Sequence, residues 1–113
     1  MSAPITDLHS LRDALRDFAT ARDWRQFHTP KNLAMAMIVE AAELVEHFQW
    51  ATPEESLRPP PEKLAAIRDE VADTLIYLVE LADALNFDLI AAARDKVGKN
   101  AIKYPAPAAA NNT

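Results

Sequence analysis

Apolar residues recur at three- and four-residue steps through most of this chain, and prolines punctuate the runs. In the first run Leu8, Leu11, Leu15, Phe18 and Ala19 fall on one side and Arg12, Asp13, Arg16 and Asp17 on the other, which predicts an amphipathic helix over 7–22. An aromatic loop, Asp23 to His28, ends at Thr29-Pro30, a good N-cap followed by proline at the first helical position. A second helix is predicted from there to about Trp50. Thr52-Pro-Glu-Glu55 is a capping box that predicts one short helical turn before Pro59-Pro60-Pro61. The third long helix, Glu62 to Leu85, is apolar at Leu64, Ile67, Val71, Leu75, Leu78 and Leu81, and its segment Leu75-Ile-Tyr-Leu-Val79 is apolar on nearly every side. Such a segment requires partners all around it. Asn86-Phe-Asp88 allows only a tight reversal into a fourth long helix, Asp88 to Lys103, with Asn86 or Asp88 as its N-cap.

The pattern predicts an all-α fold: a four-helix bundle with the third and fourth helices as antiparallel neighbours, assembling into a dimer or tetramer. Residues 1–105 are expected to form a single helical domain and 106–113, rich in Ala, Pro and Asn, a disordered tail. At 113 residues and 50% hydrophobic the chain suits one domain and not two. Its single glycine, Gly98, excludes Rossmann and P-loop phosphate cradles, and the lack of cysteine excludes disulfides, thiolate metal sites and cysteine nucleophiles. A net charge of -5 argues against a broad basic face for nucleic acid. No apolar run is long enough to span a membrane, and Met1 to Asp7 lacks the charged and apolar regions of a signal peptide, so a cytoplasmic protein without a membrane or nucleic-acid partner is expected.

The informative residues are acids inside apolar helices. Glu40 and Glu43 share a helix face at i,i+3, with Glu46 further round, and Glu70 and Asp73 repeat the spacing on the third helix, followed by Tyr77. Either pair alone is what a solvated helix surface carries. Two pairs on adjacent helices, flanked by residues that must be buried, would repel unless a cation joins them. Oxygen ligands without Cys or paired His favour Mg²⁺ or Mn²⁺ over zinc or copper. A di-iron bundle would need Glu-x-x-His on two helices, and none of His9, His28 and His47 takes that offset. Two further clusters have both plain and functional readings. Lys96, Asn100 and Lys103 share a face that either complements the helix C-terminus or meets a polyphosphate. Trp24, Phe27, His28 and Trp50 are either ordinary core or a stacking surface for a base.

In combination and order, several segments resemble the MazG-like all-α nucleotide pyrophosphohydrolases, especially the small dCTP pyrophosphatases. They are Arg22 to His28, Pro30-Lys-Asn32-Leu33, Glu40-Ala-Ala-Glu43 with Phe48-Gln-Trp50, Glu70-Val-Ala-Asp73 with Ile76-Tyr-Leu78, and Lys99-Asn100 with Lys103-Tyr104-Pro105. The resemblance covers about residues 8 to 105. It implies Mg²⁺-dependent hydrolysis of a deoxynucleoside triphosphate, dCTP-like or modified, to the monophosphate and pyrophosphate. It further implies that Glu40, Glu43, Glu70 and Asp73 hold the metal and do the catalytic work, with Glu46 a candidate for positioning water. Val39 stands where the broader family has a first acid, as in the dCTP-like branch. Trp24 and Trp50 would line the base pocket, and His28, Asn32, Tyr77, Lys96, Asn100, Lys103 and Tyr104 would complete the substrate contacts. The implied assembly is a homotetramer built as a dimer of dimers. Leu15 stands where dCTP-preferring relatives carry a histidine, which weakens the expectation of cytosine preference. The reading from another class is a non-enzymatic helical oligomerisation module, for which metal would have no effect.

Overall fold

A computed structural model describes residues 3–108 of the chain. Among the described residues five α-helices follow one another: α1 (Leu8–Ala21), α2 (Pro30–Glu46), α3 (Pro53–Ser56), α4 (Pro61–Ala84) and α5 (Leu89–Lys103), with a 3-10 turn, Arg25–Phe27, between the first two. No strand occurs among the described residues.

Local chemistry sets the helix ends. Asp7 caps α1 by accepting a hydrogen bond from Ser10 N–H, while the Ser10 hydroxyl accepts from Asp7 N–H. Thr29 caps α2 ahead of Pro30, Thr52 and Glu55 form the reciprocal box of α3, and Asp88, not Asn86, caps α5. The two tight reversals share one device. Asp23 (φ 56°) and Asn86 (φ 63°) take the left-handed conformation that ends a helix, and the next residues, Trp24 and Phe87, donate back to Ala19 and Ala82 carbonyls at 2.8 and 3.0 Å. The second helix is shorter than expected: it ends at Glu46, and 47–50 proceed as turns toward Thr52. The reason lies just beyond, where Thr52-Pro53 must be extended before a new helix, so the chain leaves α2 early.

The long helix α4 is the centre of the molecule and packs along α2, with α1 on another side. Ala19, Leu33, Ile67, Val79 and Ala82 are buried between them. The predicted four-helix bundle is not formed within one chain, because α5 does not fold back along α4 and buries no residue. The molecule measures 61 × 35 × 30 Å with a radius of gyration of 18.2 Å, against about 13 Å for a compact domain of this size. Large apolar side chains are consequently uncovered: Trp50 is 89% exposed and Ile102 85%, and Val97, Leu57 and Val45 are also exposed. In the predicted tail, 106–108 is irregular and exposed, and 109–113 lies outside the described residues. No helix among the described residues is long and apolar enough to cross a membrane.

Candidate active site

The packing of α2 on α4 brings carboxylates from both helices together. Glu40 and Glu43 lie one turn apart on α2, and Glu70 reaches them from α4, so that one oxygen from each lies within 4.8 Å of the other two. Among the ion pairs of the described residues none includes these three acids. Glu70 Oε2 is buried and has no hydrogen-bond partner. The Glu40 carboxylate beside it, then burial and the Glu43 carboxylate, push the Glu70 carboxyl up to about 7. Acids that must share a proton to coexist are the arrangement that a hard cation relieves, and a set made only of carboxylate oxygens fits Mg²⁺ or Mn²⁺.

Asp73, expected in the same cluster, stands apart from it. It lies on the next turn of α4, exposed, on the rim of an adjoining cleft of about 560 Å³ that Glu40 also lines. Glu40 therefore joins the carboxylate cluster to the cleft. One wall of the cleft is α1, through Leu11, Leu15 and Phe18; the other is α4, through Asp73, Ile76, Tyr77 and Glu80; Trp24 and His28 close it. Trp24 meets Phe18 edge-on at 5.6 Å, and the Arg22 guanidinium covers that phenyl ring at 3.5 Å. Burial raises the Tyr77 hydroxyl above its ordinary pKa, and the charges of Glu40, Glu80 and Asp73 add to the effect. At the far side His28 Nδ1 approaches Glu80 Oε2 to 2.9 Å, but the two are not aligned as a hydrogen bond, and this oxygen stays unsatisfied. Burial raises the Glu80 carboxyl, with His28 opposing. Behind it Arg16 grips Asp83 with two donors and holds that carboxyl below its usual range.

The other expected site residues are dispersed. Asn32 is an exposed loop anchor that donates to the Phe27 carbonyl at 2.9 Å and does not line the cleft. Glu46 is exposed beside Trp50 in a second depression at the end of α2, so Trp24 and Trp50 do not share a pocket in one chain. Lys96, Asn100 and Lys103 on α5, and Tyr104 just beyond it, are exposed and reach neither the carboxylates nor the cleft. Sequence reasoning overlooked Glu80. The signal was present, since Asp73, Tyr77 and Glu80 follow at i, i+4 and i+7 on one face.

Known proteins share this arrangement of helices. Over 105 residues the chain is 41% identical to dCTP pyrophosphatase 1 of Mus musculus, and over 106 residues 42% identical to that of Homo sapiens. These alignments cover 91% and 92% of this chain and 62% of each relative, so the chain spans less than two thirds of the length of these curated relatives. The crystal structure of a pyrophosphatase from Archaeoglobus fulgidus superposes with a TM-score of 0.78 at 38% identity, covering 94% of this chain and 99% of that one. Residues 35–113, which include all four acids of the paired motifs, match the model of the MazG-like family, and the chain belongs to that family.

Proposed function

We propose that the chain is a divalent-metal-dependent nucleoside triphosphate pyrophosphohydrolase that acts on deoxynucleotides and yields the monophosphate and pyrophosphate. The observation that carries the proposal is the Glu40, Glu43 and Glu70 cluster, with a buried, unpartnered oxygen, opening through Glu40 onto an aromatic-walled cleft. The names of the relatives, dCTP pyrophosphatase and pyrophosphatase, support the same activity. In this reading Glu40, Glu43, Glu70 and Asp73 hold Mg²⁺, with Mn²⁺ as an alternative. The bound metal would neutralise the phosphates and lower the pKa of an attacking water. Trp24 would stack on the base, and Tyr77 would flank the sugar from the α4 wall.

A homo-oligomer completes the proposal, with a tetramer made of two dimers as its form. One chain leaves α5 without a partner, leaves Trp50, Val97 and Ile102 exposed, and leaves Lys96, Asn100, Lys103 and Tyr104 away from the acids. A second copy laid against α4 would cover this apolar surface and could bring those cations and amide to the phosphates. The test is a panel of common and modified deoxynucleoside triphosphates with Mg²⁺, scored for pyrophosphate. Release from at least one nucleotide, abolished by EDTA, is expected; no release from any would refute the activity.

A further inference from the structure

A further cavity, of about 380 Å³, adjoins the cleft and is lined by none of Glu40, Glu43, Glu70 and Asp73. Its charge is of the opposite kind. α1 brings Arg12 and Arg16 to it and the 3-10 turn brings Arg25, over a floor that includes the buried Ala19 and Val79. Two acids also line it, and each already has a partner: Arg16 holds Asp83 with Nε and Nη2, and His28 faces Glu80 at 2.9 Å. Arg12 and Arg25 are left over. Arg12 rests through Nε and Nη2 on one oxygen of Asp13, a solvent-facing neighbour outside the cavity lining, and Arg25 forms no ion pair among the described residues. The charges of both help to hold the Asp83 carboxyl low, so they converge on one place. A chain of net charge -5 thus gathers here two guanidinium groups beyond those that the cavity's own acids match.

We propose that this arginine-lined cavity is an anion site, separate from the carboxylate cluster, that binds a small phosphate monoester through Arg12, Arg16 and Arg25. Guanidinium groups around a cavity offer N–H donors in planar forks, which fit the oxygens of a phosphate or a carboxylate. Charge decides between the two. A carboxylate brings one negative charge, whereas a phosphate monoester brings about -1.5 to -2 at neutral pH, close to the two positive charges in surplus. The cavity is also larger than one phosphate group, and the apolar floor at Ala19 and Val79 suits the carbon part of an ester. Such a site is independent of nucleotide hydrolysis and of any metal.

The experiment titrates ribose 5-phosphate, inorganic phosphate and acetate into the full chain by calorimetry. EDTA is present throughout, so that the bare carboxylates of the other site repel anions. One ribose 5-phosphate per chain is expected to bind, at least as tightly as inorganic phosphate and at least about tenfold more tightly than acetate. Arg25→Gln should weaken it by at least about tenfold, and Arg12→Gln combined with Arg25→Gln should remove measurable binding. Arg25 is exposed and unpaired among the described residues, so its variant should fold, which thermal melts check. Arg94→Gln removes one exposed charge from α5, outside the cavity, and should change nothing. Absence of binding, affinity unchanged in folded Arg25→Gln, an equal loss in Arg94→Gln, or acetate matching the ester overturns the proposal. Tighter binding of inorganic phosphate than of the ester overturns the assignment to a monoester.

Discussion

Binding of Mg²⁺ should expel a measurable fraction of a proton. Glu70, pushed up to about 7 by its neighbours Glu40 and Glu43 and by burial, must ionise before it can serve as a ligand. At pH 7 the release should be about half a proton per site, at pH 6 about 0.9 and at pH 8 about 0.1. Apparent affinity should accordingly fall close to tenfold per pH unit below 7 and level off above it. The metal-free chain should show the same ionisation in its stability. The folded value lies above the ordinary 4.5, so between these pH values the folded chain holds more protons than the unfolded chain, and stability declines as pH rises from about 4.5 to about 7. Titration calorimetry in two buffers of different ionisation enthalpy measures the released proton directly, and Glu70→Gln should abolish the release. Mg²⁺ binding at pH 6 with an enthalpy independent of buffer would refute the reasoning.

Glu43→Gln and Asp73→Asn should each cut pyrophosphate release by at least about 100-fold while the melting transition survives, since each removes ligand charge at nearly constant shape; near-normal release from a folded variant would remove that residue from the machinery. Leu33, 2% exposed at the α2–α4 contact, should cost about 3 kcal/mol when replaced by alanine, read from urea unfolding. The double change Val97→Asp and Ile102→Asp should shift the assembly toward monomer in light scattering and lower activity with it, whereas a fully active wild-type monomer would contradict the shared-site account.

The parts of this molecule that were legible in its sequence are those decided within one or two helical turns. Thr29, Thr52 and Asp88 cap helices where capping chemistry placed them, and the i,i+3 acid pairs flagged the faces that meet. The helical pattern running through Phe48 to Trp50 concealed the end of α2, because apolar spacing does not register that Thr52-Pro53 must be extended. Spacing could not distinguish Glu70, which joins the cluster, from Asp73, which lines the cleft, because residues three apart share a face, about 60° from one another, and how α2 docks on α4 decides which of them meets Glu40 and Glu43. The pairing of Arg16 with Asp83 spans 67 residues, and that of His28 with Glu80 likewise depends on how α1 and its loop dock on α4. The free position of α5 was hidden for a further reason: an amphipathic face states that it needs cover and not whether the cover comes from its own chain.

The most direct test of the central claim is hydrolysis in ¹⁸O-labelled water with Mg²⁺ present, followed by mass analysis of both products. The account predicts the label in the nucleoside monophosphate and unlabelled pyrophosphate, with neither product formed after EDTA treatment. Label in free orthophosphate with a nucleoside diphosphate as co-product, or turnover indifferent to EDTA, would contradict it.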